Sequence, residues 1–313
     1  VPLKGTILLK ASFDDMEQFC EATKNWDLDF VPLGGSLGKG SAAEIVQIRF
    51  GCVDFGSARL RAPLDQAGMP PAHRHTFVLL SDRTPPIWWR GQQASSDEVM
   101  VFHEGAELRA ASGPDFLNLC LSIEEAEVAA IAEREHVPLP ALRQRPEVFR
   151  PPPARVAAAR AILMAAREGH PGATVERVEK ITADLVLSWL QQAGLRTRPA
   201  NGPSKDRAVT HCLELIDAAP GQQIPVAALC VSSGVSRRTL ETAFLDRFGV
   251  GPAAFMKRAR LGRVRRELLV AGPSDVQVGE VMARYGFTHV GQFATDYRRA
   301  FGERPSETLA RVS

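Results

Sequence analysis

Hydrophobic positions recur every second residue through much of the first 123 positions and every third or fourth residue after them. Leu117, Leu119, Leu121 and Ile123 alternate with Asn118, Cys120 and Ser122, and shorter alternations run through 45–50, 58–64, 76–80 and 99–102. Alternation is the signature of strands with two unlike faces. Glycine and proline clusters at 33–40, 67–71, 84–86 and 112–114 punctuate the runs. The pattern predicts an antiparallel sandwich or small barrel over residues 1 to about 123.

From 124 to 194 the period becomes helical. Pro153 suits a first helical position, Val156, Ala159, Leu163 and Ala166 form an apolar stripe, and Gly169 can close the helix. A second helix starting near Thr174 puts Val175, Val178, Ile181, Leu185 and Trp189 on one face. That stripe has two readings: packing within the chain, or the seam of a dimer. Residues 196–206 hold two prolines, a glycine and almost no apolar side chains, so they are read as a linker. Domains are therefore expected at 1–195 and 207–313.

The last hundred residues carry an internal near-repeat. Gly234, Val235 and Ser236 precede Leu240, Phe244, Phe248 and Gly249; Gly286, Phe287 and Thr288 precede Phe293, Tyr297, Phe301 and Gly302. Each half reads as a short apolar helix, a glycine turn, and a second helix capped by Ser236 or Thr288. This is helix-turn-helix anatomy, in tandem. With these residues in view, 209–309 resembles the AraC/XylS family of bacterial transcription regulators, in GVSRRTLETAFLDRFGVGP at 234–252, FMKRARLGRVRRELL at 255–269 and EVMARYGFTHVGQFATDYRRAFGERPS at 280–306. The resemblance implies two units joined by a rigid helix that read successive major-groove segments of double-stranded DNA. It also implies a cupin-like barrel over the first 123 residues and dimerising helices after it. The expected fold class is thus α+β: a cupin-like β-barrel with a helical dimerisation segment, then an all-α tandem helix-turn-helix domain.

The buried face of each recognition helix selects the side chains left for DNA. With Leu240, Ala243, Phe244 and Phe248 inside, Arg237, Arg238, Glu241 and Thr242 point outward. Arginine fits guanine O6 and N7, glutamate accepts from cytosine N4, and threonine meets a thymine methyl. The family's usual contact positions fall on Arg238, Glu241 and Thr242. On the second helix Val290, Phe293, Ala294, Tyr297 and Phe301 are expected inside, leaving His289, Gln292, Thr295, Arg298 and Arg299. Val290 and Thr295 stand where many members carry Gln and Arg. The first unit is therefore expected to carry the specificity, and the second to anchor phosphates through Arg298 and Arg299. Lys257, Arg258, Arg260, Arg263, Arg265 and Arg266 on the linking helix read as a solvated face or as phosphate contacts, with Asp246, Asp296 and Glu267 as intramolecular partners.

Charge supports this division, since residues 205–313 carry 16 Lys and Arg against 11 Asp and Glu while the whole chain is only +2. Composition is that of a globular protein, no apolar run reaches the length of a membrane span, and residues 1–10 show no secretory signal, so a cytoplasmic location is expected. Five widely spaced cysteines without a CxxC pair read as reduced core thiols. No catalytic constellation, metal site or cofactor motif stands out. His73 and His75 form an HxH pair, but no carboxylate follows and Leu108 stands where a third histidine would be; exposed loop histidines are the expectation. Arg59 and Arg61 could clamp an anionic effector or simply be surface residues, and Trp88 or Trp89 could line a ligand cavity, with Trp88 taken as the candidate. The expected protein is a homodimeric DNA-binding regulator that senses a small molecule, with RNA polymerase as a further partner. Two rivals remain: a regulator whose β-domain only oligomerises, and a cupin metalloenzyme fused to a DNA module.

Overall fold

The computed structural model describes residues 5–23, 26–33, 42–89, 92–103, 108–138, 147–192, 204–271 and 276–312. The first part runs β1 (Thr6–Phe13), α1 (Met16–Ala22), β2 (Asp27–Pro32), β3 (Ala43–Phe50), β4 (Val53–Leu60), β5 (Leu64–Met69), β6 (Arg74–Leu80), β7 (Ile87–Trp89), β8 (Gln92–Ala94), β9 (Val99–Phe102), β10 (Leu108–Ser112) and β11 (Phe116–Glu124). Helix α2 (Glu125–Arg134), a short strand β12 (Val148–Phe149), α3 (Pro153–Glu168) and α4 (Val175–Gln191) follow.

Among the described residues these strands form two open antiparallel sheets rather than a closed barrel. One has the order β1-β3-β4-β11-β6-β9-β12 and the other β2-β5-β10-β7-β8. The inward positions of both sheets meet in one apolar layer, including Ile45, Leu60, Val78, Trp89, Phe102, Leu108 and Phe116. Strand β12 lies within the segment expected to be wholly helical, and its Val148 and Phe149 extend the larger sheet beside β9.

The other face of the larger sheet is covered by α2, α3 and α4. Val178, Ile181, Leu185 and Trp189 of α4 are buried there with Phe77, Leu119 and Leu121. The α4 stripe is thus spent inside its own chain and is not free to act as a dimer seam. His75, expected in an exposed loop, points into this layer at 2% exposure, its ring 5.6 Å from that of Trp189. His73 does stay exposed, with φ 58°. Of the cysteines, Cys52 is exposed rather than in a core, because it sits in the tight turn between β3 and β4.

The second part is helical: α5 (Ser204–Ala218), α6 (Val226–Ser233), α7 (Arg237–Phe248), α8 (Pro252–Val270), α9 (Val278–Arg284), α10 (Val290–Phe301) and α11 (Pro305–Leu309). The expected linker lies outside the described residues over 196–203, while Ser204–Asp206 already belong to α5. Two cores organise these helices, one joining α5, α6, α7 and the start of α8, the other joining the rest of α8 to α9, α10 and α11. Leu33 and Ala111 of the strand-rich part belong to the first of these cores.

Candidate nucleic-acid interface and interior cavity

In the first helix-turn-helix, α6 ends at Gly234, whose φ of 69° is the left-handed conformation that a side chain disfavours. The chain then enters α7 at Ser236, whose Oγ accepts from the Thr239 amide at 3.2 Å. Phe244 and Phe248 pack on Phe255 of α8 at ring distances of 5.5 and 4.5 Å, which fixes the opposite face of α7 outward. Arg237, Arg238 and Thr242 are exposed there. Glu241 is half-buried: it pairs with Arg237 at 3.7 Å, and a Cβ on Gly251 would lie 2.6 Å from its Oε2. Its carboxylate therefore sits against the start of α8, where the helix dipole favours negative charge.

The second unit differs. Helix α10 begins one residue later than the sequence suggested, with His289 rather than Thr288 at the N-cap and no side-chain cap. Val290, expected inside, is 66% exposed because it is the first helical residue and lies beyond the packing of α9. His289, Gln292, Thr295, Arg298 and Arg299 are all exposed. Two of them are engaged locally: Gln292 donates to Asp296 Oδ2 at 3.1 Å, and Thr295 Oγ1 donates to the Gly291 carbonyl at 2.9 Å. Burial opposes the charge of Asp296, but hydrogen bonds from Gln292 and Lys257 outweigh it and hold the carboxyl below its ordinary range. Arg298 and Arg299 border an open groove with Thr295, Arg304 and Ser306. Arg304 was not singled out by sequence because it lies past the end of α10, on the N-cap of α11.

The linking helix reverses its sequence expectation. Its 19 residues span about 28 Å, and its basic side chains turn mostly toward protein. Lys257 meets Asp296 at 3.1 Å and Arg263 meets Asp217 at 3.0 Å. Arg260 stacks over Phe287 at 4.8 Å and reaches the Tyr285 carbonyl at 3.3 Å. Arg265 is 9% exposed and bridges Asp15 and Glu17 of the strand-rich part and Glu303 after α10; Arg266 pairs with Asp29 of β2. Asp246 and Glu267 also pair within the chain, with Lys205 and Arg284. The strand-rich part thus touches both units and the helix between them.

Between the two sheets lies a pocket of about 610 Å³, counting the part that opens to solvent. Phe19, Thr23, Trp26, Leu28, Phe30, Gln47, Gly56, Gln66, Trp89, Phe102, Phe116, Asn118 and Cys120 are among its walls. Burial pushes the Cys120 thiol up to about 12, so it stays neutral. None of the three side chains chosen by sequence lines this space. Arg61 pairs with Glu44 at 3.2 Å, and Arg59, opposite Glu44 in the β3–β4 register, lies near Arg167 of α3 on the outer face of the larger sheet. Trp88 faces the helical part, where the Arg247 guanidinium lies 5.3 Å from its ring. Strand alternation gave one tryptophan to each side, and Trp89 is the inner one. Gln66 was missed because a lone glutamine in a strand carries no sequence signal.

Comparison with known proteins agrees with the C-terminal geometry. Residues 229–311 match the family model of a helix-turn-helix domain. A probable thc operon regulatory protein of Rhodococcus erythropolis is 36% identical over 110 residues, 35% of this chain and 33% of that one. A XylDLEGF operon transcriptional activator of Pseudomonas putida is 32% identical over 136 residues, 43% of this chain and 84% of its own length. The crystal structure of a probable AraC family transcriptional regulator from Rhodopseudomonas palustris shares 39% identity over 34% of this chain and 96% of that one, with a TM-score of 0.31. The match to the Rhodococcus protein spans about a third of that protein's length. Two helix-turn-helix units joined by one long helix, together with the XylDLEGF operon relative, place the chain in the AraC/XylS family of transcription regulators.

Proposed function

We propose that the protein is a sequence-specific, double-stranded DNA-binding regulator of transcription, not an enzyme, and that its N-terminal part, cupin-like in ancestry, senses a small-molecule effector. Residues 1–195 would form the effector-binding and dimerising half and 207–313 the DNA-binding half. One observation carries the DNA reading: the side chains of Arg238 and Thr242 on α7, and of Arg298 and Arg299 on α10, are exposed and form no hydrogen bond or ion pair among the described residues, Arg299 acting on Asp296 only through its charge. Basic side chains without a directly bonded partner, on the outward faces of two recognition helices, suit a polyanion.

The units divide the work. Arg238 with Thr242 reads bases, and Arg298, Arg299 and the neighbouring Arg304 hold phosphates. The Pseudomonas relative is an operon activator by name, which favours activation and contact with RNA polymerase. Association as a homodimer uses a surface other than the α4 stripe. Among the described residues no helix is long and apolar enough to cross a membrane. The test is selection from a random duplex library, followed by anisotropy titrations of the selected and a scrambled duplex. A selected consensus that Arg238→Ala relaxes supports the reading; equal binding to both duplexes would refute it.

A further inference from the structure

The cavity between the sheets has a definite chemical character. None of the described residues lining it is charged. A cation behind its wall, Arg167, donates to Ser57 Oγ at 3.1 Å and is held by Glu44 at 2.9 Å. A carboxylate or ammonium entering this space would lose its water without gaining a counter-ion. Aromatic surface is abundant: Phe102 lies 4.4 Å from Trp89 and 5.7 Å from Trp26 between ring centres, the second pair edge-on.

Two polar atoms set the direction of a ligand. The Trp89 indole N–H is buried and has no acceptor among the described residues, Trp89 itself being 2% exposed. Buried donors are nearly always satisfied, so a ligand acceptor here would be a gain. Gln66 is fixed by its Nε2, which donates to Ser112 Oγ at 2.7 Å, and this leaves its Oε1 for a donor. We propose that this cavity takes an uncharged aromatic molecule of one or two rings bearing a carboxamide or hydroxyl, with the ring against Trp26, Trp89 and Phe102 and the polar group between Trp89 and Gln66. The proposal rests on reading the N-terminal part as a sensor and replaces the anionic effector suggested by Arg59 and Arg61.

The wall of the cavity also faces the DNA-binding part. Leu28 and Phe30 of β2 and Phe19 of α1 line the space, while Asp29 of β2 holds Arg266 and Glu17 of α1 and its N-cap Asp15 hold Arg265. Strand alternation puts Val31 on the same outer side as Asp29, close to Gly262 of α8. An occupant pressing on Leu28 and Phe30 acts on the linking helix through one layer of backbone.

The full chain is titrated by calorimetry with 2-naphthamide, 2-naphthoate and 2-naphthylmethylamine. The expected result is binding of the amide at least about tenfold tighter than either charged analogue. At Gly56 an added Cβ meets only Cys120 Cβ, at 3.9 Å, so Gly56→Leu fills the cavity and abolishes binding; Gln66→Leu weakens it about tenfold. Equal or tighter binding of the naphthoate, no binding of the amide to the wild type, or unchanged amide affinity in a folded Gln66→Leu variant overturns the proposal. DNA anisotropy with and without the amide separates the two readings. Amide binding that leaves DNA affinity unchanged defeats the sensor and keeps the ligand class, whereas intact sequence-specific DNA binding without any amide binding defeats the ligand class alone.

Discussion

The linking helix and the two recognition helices carry the same residue, arginine, to opposite ends. On α8 Arg260, Arg263, Arg265 and Arg266 face carbonyls, rings and carboxylates of their own chain, all four reaching other elements of the molecule. On α7 and α10, Arg238, Arg298 and Arg299 face solvent and form no side-chain hydrogen bond or ion pair among the described residues, Arg299 meeting Asp296 only through its charge. The difference teaches that a basic run does not by itself mark a nucleic-acid surface. What marks it is charge that the fold has left unmatched, and the matched charges are the ones that hold the two parts together.

Breaking the matched side should cost most. Arg265→Ala leaves Asp15, Glu17 and Glu303 around one another with only Arg311 in contact and Arg266 acting on Glu17 from Asp29, a loss of about 3 kcal/mol in unfolding free energy by urea titration. A change under about 0.5 kcal/mol would show that α8 is not a structural crosslink. On the unmatched side, Arg238→Ala should cost about 1–3 kcal/mol on the selected duplex and almost nothing on random DNA, read by competition anisotropy. Equal loss on both would remove its base-reading role. Arg61→Ala, which breaks only an exposed pair with Glu44, marks the bottom of the scale at about 0.5 kcal/mol or less of stability.

Acidity sharpens the comparison from another side. Burial raises the Asp65 carboxyl to about 7, with Asp217 adding to the shift and Arg247 and Arg109 opposing it. Glu17 is likewise raised to about 7 by burial, against the pull of Arg265. Between their ordinary values near 4 and about pH 7 the folded protein binds more protons at these groups than the unfolded chain. Their contribution to stability therefore falls as pH rises through that window and levels off above it. Asp65→Asn should flatten the decline in thermal midpoint between pH 5 and 8, and an unchanged slope would show that Asp65 ionises freely.

The sequence made the unmatched side readable because recognition helices are local objects. Gly234, Ser236 and the spacing of Leu240, Phe244 and Phe248 determine which face of α7 is outward without reference to the rest of the chain. The matched side was not readable in the same way. Arg265 and Asp15 are 250 positions apart, and nothing in either neighbourhood says that they meet. The α4 stripe was visible as a stripe, but whether another molecule or the chain's own sheet covers it depends on where α2 and α3 fall. Alternation showed that Trp88 and Trp89 diverge, while which of them faces inward is set by the pairing of β7 with β10. Period alone puts Val290 inside, because it cannot see that the helix starts there.

The most direct test of the account is the salt dependence of DNA affinity for single alanine variants on the two surfaces. Arg298→Ala and Arg299→Ala should each lower the slope of log affinity against log salt by about 0.9, and Arg263→Ala and Arg266→Ala should leave it unchanged. A slope that falls for the α8 variants and not for those of α10 would mean that the linking-helix arginines leave their carboxylates for DNA, and would contradict the division on which the account rests.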